Sequence, residues 1–258
     1  MAAPSFSMKI ERANKHIEEF RSVIDDFRAS KPYAVGHKRH PDTNKNIYFV
    51  TRAKPIPAEL AVIAGDVLQN LRTALDYLIC DLVVANGKEV TRNNMFPVFN
   101  EFPSSAGDKN LLEQKIDGVA HEAKEVIRRI KPYKGGDDLL WQVHALNIRD
   151  KHRTLFMVAT GRPRINLGEH IRTIRKNSGH IPNFHLVTKK EVFPLKVGTE
   201  LFWDPPNVEV NKNVRVTADV ALNEPPIYEG PLGHLLIHAR DHIQEIIASL
   251  EKWVPSTT

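Results

Sequence analysis

Two polar clusters interrupt stretches whose apolar residues recur at helical spacing. The first is Asp66, Asn70, Arg72 and Asp76, on the shoulders of a stripe made by Leu60, Ala64, Val67, Leu71, Ala74, Leu75, Leu78 and Leu82. The second is Asn147-Ile-Arg-Asp-Lys-His-Arg153, closing a run from Leu139 to Leu155. At about 100° per residue, Leu139, Val143 and Leu146 share one side of that second helix, with Asp150 among them and Asn147 at the edge. Trp141, Ile148 and Leu155 share another side, so the helix is expected to be buried. A buried carboxylate needs a partner, and Arg72 is the expected one for Asp150. Arg72, Asp76, Asn147, Asp150, His152 and Arg153 are therefore the candidate catalytic residues. His152 would be the acid–base group, and Arg72 or Arg153 would stabilise charge on a phosphorane-like transition state. The same ion pairs could instead fix helix register and do no chemistry, and a last-turn His152 could simply favour its helix C-terminus.

A second chemistry is electrostatic. The 258 residues carry 36 Lys and Arg against 31 Asp and Glu, a net charge of +5. Residues 31–54 hold six bases and one acid, residues 162–190 seven bases and one acid, so the rest of the chain is at −6. Lys38, Arg39, Arg162, Arg164, Arg172, Arg175 and Lys176 are the candidate nucleic-acid-binding residues, in segments a polyanion could meet while the helices repel it. Such charges also keep loops solvated. No cofactor is expected. His234, His238 and His242 fall on one stripe of the last helix; His238 and His242 are weak metal candidates, since the outer two of the three are roughly 12 Å apart by helix rise. The chain lacks a Gly-rich phosphate loop, a Gly-x-Ser-x-Gly elbow and paired Cys-x2-Cys. That argues against a P-loop nucleotide hydrolase, an α/β-hydrolase and a zinc finger.

These residues must be positioned by a mainly helical α+β fold. The expected single domain is a bundle of about five main helices over 6–155 and 229–253, with a β-rich insertion over 156–228. Its helices are 6–30, 57–86, a broken pair at 110–116 and 121–130, 139–155, and a last one to Trp253. Asp137-Asp138 should cap the fifth of these helices. Tyr33–Val35 and Asn46–Arg52 read as a hairpin, and the Phe96–Phe102 stretch as an irregular packed segment. Strands are expected near 155–159, 184–192, 200–203 and 213–222, the region 161–183 being a basic loop. A lone Cys80 fits core packing and a reducing, cytoplasmic setting. No apolar run approaches the roughly 18 residues of a membrane span.

Two motifs together, Gly65-Asp-x3-Asn70-Leu-Arg72-x-Ala-Leu-Asp76-x-Leu78 and His144-x-Leu-Asn147-x2-Asp150-Lys-His-Arg153, resemble a widespread family of uncharacterised bacterial proteins. Phe193-Pro-Leu-Lys-x-Gly-Thr-Glu-Leu201 fits the same family. A more distant resemblance is to HEPN-type helical domains. It implies a two-fold homodimer through the long helices and, in many members, a metal-independent ribonuclease of defence or toxin systems. The HEPN signature is Arg, four to six residues, then His; Arg72-Thr-Ala-Leu-Asp-Tyr77 has the arginine and the spacing, with tyrosine in the histidine position. Arg175 to His180 and Arg164 to His170 have the histidine, in the basic loop. The leading expectation is a bacterial cytoplasmic, HEPN-like protein that engages RNA or another phosphate-rich ligand, with ribonuclease chemistry if it is an enzyme. The alternative is a non-enzymatic protein-interaction module whose buried pairs are structural and whose partner surface is the Phe96–Phe102 segment or a sheet edge.

Overall fold

The computed structural model describes residues 4–152, 155, 157–164, 195–204, 210, 214–223 and 230–254. The fold is α+β and mainly helical. Six α-helices are described: α1 (Ser5–Ala29), α2 (Glu59–Ala85), α3 (Ala106–Lys115), α4 (His121–Ile130), α5 (Asp138–His152) and α6 (Leu232–Leu250). The strands are β1 (Tyr33–Arg39), β2 (Asn46–Ala53), β3 (Met157–Arg164), β4 (Glu200–Trp203) and β5 (Arg215–Leu222). The chain forms two compact units. One comprises Met1–Arg21, Glu59–Leu155 and Glu224–Thr258, the other Ser22–Ala58 and Phe156–Asn223.

In the helical unit α2 is central. Leu60, Ala64, Val67, Leu68, Leu71, Ala74, Leu75 and Leu78 are wholly buried, so its apolar stripe is wide enough to face several neighbours. It packs against α5 and α6, and α6 also touches α4 and α5. The helix ends where Gly87 turns left-handed (φ 69°). Gly87 N donates to Val84 O and Lys88 N to Val83 O, the double closure that satisfies carbonyls left over at a helix end. Asp137 caps α5, accepting from Leu140 N at 3.0 Å, as its place before the apolar run predicts. Helix α3 starts earlier than its apolar pattern suggests, because Ser105 accepts from Asp108 N at 3.0 Å and nucleates the first turn.

The Phe96–Phe102 stretch is irregular and packed. Phe96 is wholly buried, while Phe99 exchanges backbone hydrogen bonds with the Pro132–Lys134 turn. Phe102 alone among its phenylalanines is exposed, edge-on to Tyr133. As a partner surface this segment is thus corrected at its Phe96 end. Ile148 is a second correction: it is 43% exposed, whereas Trp141 and Leu155 of the same expected side are buried.

In the other unit β1, β2 and β4 form one antiparallel sheet, with β2 in the middle. The hairpin and the later β-region therefore share a sheet. Tyr48 stacks on Phe202 (4.3 Å between centroids) and donates to buried Asp204 at 2.7 Å. β3 pairs with β5 along its whole length, Met157↔Leu222 to Arg164↔Arg215. Arg162 and Arg164 thus lie in a strand and not in the basic loop. Among the described residues this sheet has two strands, so Pro163 lies in an edge strand, where proline is tolerated. Side chains of Arg162 and Arg164, the expected strand at 184–192, and Arg153, His170, Arg172, Arg175, Lys176 and His180 lie outside the described residues. No described helix is long and apolar enough to cross a membrane.

Candidate functional site

The candidate residues collect along the seam between α2 and α5. Gly65 meets Asp150 and Arg72 meets His144, so the two helices run antiparallel. His144, Asn147 and Asp150, three residues apart, form one stripe on α5 facing α2. The seam spans roughly 9 Å between its end residues on α5.

At one end Arg72 is buried, 5% exposed. Its Nε donates to His144 Nδ1 at 3.2 Å, Nη1 to Asp76 Oδ1, and Nη2 to Phe96 O at 2.7 Å. Asp76 Oδ1 also accepts from Phe96 N at 2.9 Å. One helix turn separates Arg72 from Asp76, and together they hold both polar groups of a wholly buried residue in a segment with no secondary structure. A buried N–H and C=O without partners would cost about 1–3 kcal/mol each, so this clamp is what lets the Phe96–Pro97 stretch enter the core. Arg72 is therefore not the partner of Asp150. Its guanidinium lies two turns away along the seam, and its donors go to His144, Asp76 and Phe96.

His144 accepts at Nδ1 from a guanidinium N–H, so its own proton sits on Nε2. Burial pulls its pKa down to about 4, helped by the positive charges of Arg72, Lys115 and Lys151. At pH 7 the ring is neutral. Lys115, at the end of α3, is pushed below the usual lysine range by burial and by Arg72, with Asp76 opposing. Lys115 is half-buried, and its ammonium has no hydrogen-bond or ion-pair partner among the described residues. This end of the seam offers N–H donors and positive charge.

The other end is the reverse. An added Cβ on Gly65 would collide with the carboxylate of Asp150. The glycine is thus a notch that lets an acid lie against the α2 backbone. Burial and the neighbouring Asp66 carboxylate raise the Asp150 pKa. Asp150 is half-buried and makes no ion pair with any described residue. Between the two ends Asn147 is 2% exposed, and its Oδ1 has no hydrogen-bond partner among the described residues.

The expected site is thus assembled in part. Arg72 and Asp76 are joined, Asn147 and Asp150 follow on the same seam, and His152 is left out. His152 is exposed in the last turn of α5, with no polar partner among the described residues. It stands off the α5 stripe that faces α2, which passes through His144, Asn147 and Asp150. His144 was legible as the first residue of its motif, three before Asn147. Lys115 carried no sequence signal, since it comes from another helix.

Of the metal candidates, His242 Nε2 sits 2.6 Å from Asp137 Oδ2, and this contact and burial act on its pKa in opposite senses, the contact raising it. His238 is exposed beside His234. No three donors converge for a metal among the described residues. Lys38 and Arg39 are exposed on β1. No protein-family model matches this sequence, and neither does any curated protein or solved structure.

Proposed function

We propose that this protein binds a phosphate-bearing ligand, RNA being the class that its basic segments also suit, at the Lys115–His144 end of the seam. The observation that carries this reading is the half-buried Lys115, whose ammonium has no hydrogen-bond or ion-pair partner among the described residues and lies near a buried arginine. A desolvated cation is costly unless an anion meets it. Lys115 and the Nε2–H of His144 are donors of the kind that phosphate oxygens accept from.

Binding is favoured over acid–base catalysis by one magnitude. With a pKa of about 4, His144 is protonated in only about one molecule in a thousand at pH 7. Its basic nitrogen is already occupied by Arg72. Efficient proton transfer asks for a pKa near the working pH. Arg72 and Asp76 act here as a clamp on the Phe96 peptide, the specific observation that favours a structural role for those two.

The test is calorimetric titration of inorganic phosphate, and of a 5′-phosphorylated RNA oligomer against its unphosphorylated twin. Lys115→Ala should weaken phosphate binding about tenfold or more, the size of one charge-assisted contact. The 5′-phosphate should improve binding to the native protein. Equal phosphate affinity in Lys115→Ala, or no phosphate binding by the native protein, would overturn the reading.

A further inference from the structure

The three-stranded sheet presents a surface that the helical seam does not use. In an antiparallel pair, residues directly opposite project on the same face. Lys38 is opposite Ile47, and Ile47 is opposite Trp203, so Lys38 and Trp203 share one face. Phe49 is two residues along β2 from Ile47 and lies on that face as well. Trp203 is 44% exposed, and Lys45 Nζ stands 5.7 Å from its ring centre. The His40 ring is 6.4 Å away, tilted by 39°. Lys38 Nζ stands 5.5 Å over Phe49. Glu200 is the acid among them: it accepts from Trp203 Nε1 at 3.1 Å and lies 3.8 Å from Lys38.

Each of these contacts has a physical use. The hydrogen bond to Glu200 fixes the indole in one orientation, so little side-chain entropy remains to be lost when something stacks on it. The cations lie beside aromatic faces, the combination by which a single strand's phosphates are met while its bases stack. Among these residues Lys38 and Lys45 outnumber the acid Glu200, so the cluster is net positive.

We infer that this face binds single-stranded nucleic acid, with Trp203 as the platform for a base and Lys38 and Lys45 as phosphate contacts. A flat aromatic stacks on any base and reads little sequence, and a duplex hides its bases from it. The face should therefore prefer single strands over duplexes and show a weak sequence preference. The inference rests on the phosphate-rich ligand being a nucleic acid, and it names the part of the molecule that meets the bases.

The test is fluorescence anisotropy of a labelled single-stranded RNA 12-mer with the full chain, competed by unlabelled strand or by a duplex of the same sequence. Trp203→Ala should weaken binding about tenfold or more, in line with the loss of one stacked base. Trp203→Phe should recover most of that loss, which separates stacking from a folding defect. Lys38→Ala with Lys45→Ala should reduce the salt dependence by about the share of two phosphate contacts. Unchanged affinity in Trp203→Ala, or a duplex competing as well as the single strand, would overturn the inference. So would binding that ignores salt, which would mark an apolar protein partner for this face. The phosphate titration with Lys115→Ala separates the two proposals. If it behaves as expected while Trp203→Ala binds RNA normally, only the sheet proposal fails. If phosphate does not bind but Trp203→Ala still weakens the RNA complex, only the seam reading fails.

Discussion

The two ends of the α2–α5 seam are built on the same helices and do opposite things with charge. At the Arg72 end a buried cation has an anion, an imidazole and a carbonyl around it, and the arrangement holds a loop in the core. At the Gly65 end a carboxylate is pressed against a helix backbone with another carboxylate nearby and, among the described residues, no cation paired to it. Burial is similar in kind, but Arg72 is satisfied, whereas Asp150 and, beside Arg72, Lys115 have no ion-pair partner among the described residues. A charge that is paired on all sides is architecture. An incompletely paired one, such as Lys115 or Asp150, leaves free energy that a ligand or a proton can change.

The largest break in that comparison should come from Arg72→Ala. It strands Phe96 O and removes the partner of Asp76, and loss of one member of a buried pair typically costs about 3–5 kcal/mol. Denaturant unfolding should show this, and Asp76→Asn should cost less because Asp76 is half-exposed and the neutral amide can still accept a hydrogen bond. An Arg72→Ala protein as stable as the native one would deny the clamp its structural role.

Gly65→Ala should come next, destabilising by about 1–3 kcal/mol as the methyl forces the Asp150 carboxylate aside. The double variant Gly65→Ala with Asp150→Ala should regain that loss and more, since alanine favours a helix interior by about 0.5–1 kcal/mol over glycine. Failure of the second substitution to rescue the first would mean that the close approach is not with Asp150.

The third effect is a pH dependence. The folded His144 pKa is depressed to about 4, against roughly 6.5 in the unfolded chain. Between those values the unfolded state binds more protons, so the stability associated with this site is present above about pH 6.5 and is lost as pH falls toward 4. Melting curves of the native protein and of His144→Asn should therefore converge on acidification. At the other end Asp150, with its raised pKa, should act in the opposite sense below neutrality: protonation relieves its burial and its repulsion by Asp66. Removing each residue separately resolves the two slopes.

Most helices were legible because their apolar periodicity is strong and their stops are chemical. Residues 6–30 match α1, Pro57 and Gly87 bracket α2, and the capping Asp137 opens α5. The hairpin was legible in Asn46–Arg52, although not its pairing with β4, which depends on residues about 150 positions away. The start of α3 was missed because its signal was a side-chain cap and not a hydrophobic pattern.

The candidate site divides along the same line. Sequence determined that Arg72, Asp76, Asn147 and Asp150 stand on two apolar helices, because residue spacing alone sets which side of a helix they occupy. It could not determine who meets whom. Arg72 has the reach to find Asp150, Asp76 or a backbone carbonyl, and only the register of α2 on α5 sends it to Phe96 and His144. That register is set by packing over the whole seam, including the missing side chain of Gly65. Lys115 and Trp203 depend on tertiary structure most, since each acquires its setting from elements distant in the chain. Spacing is a local property and can be read residue by residue; pairing and desolvation belong to the folded whole.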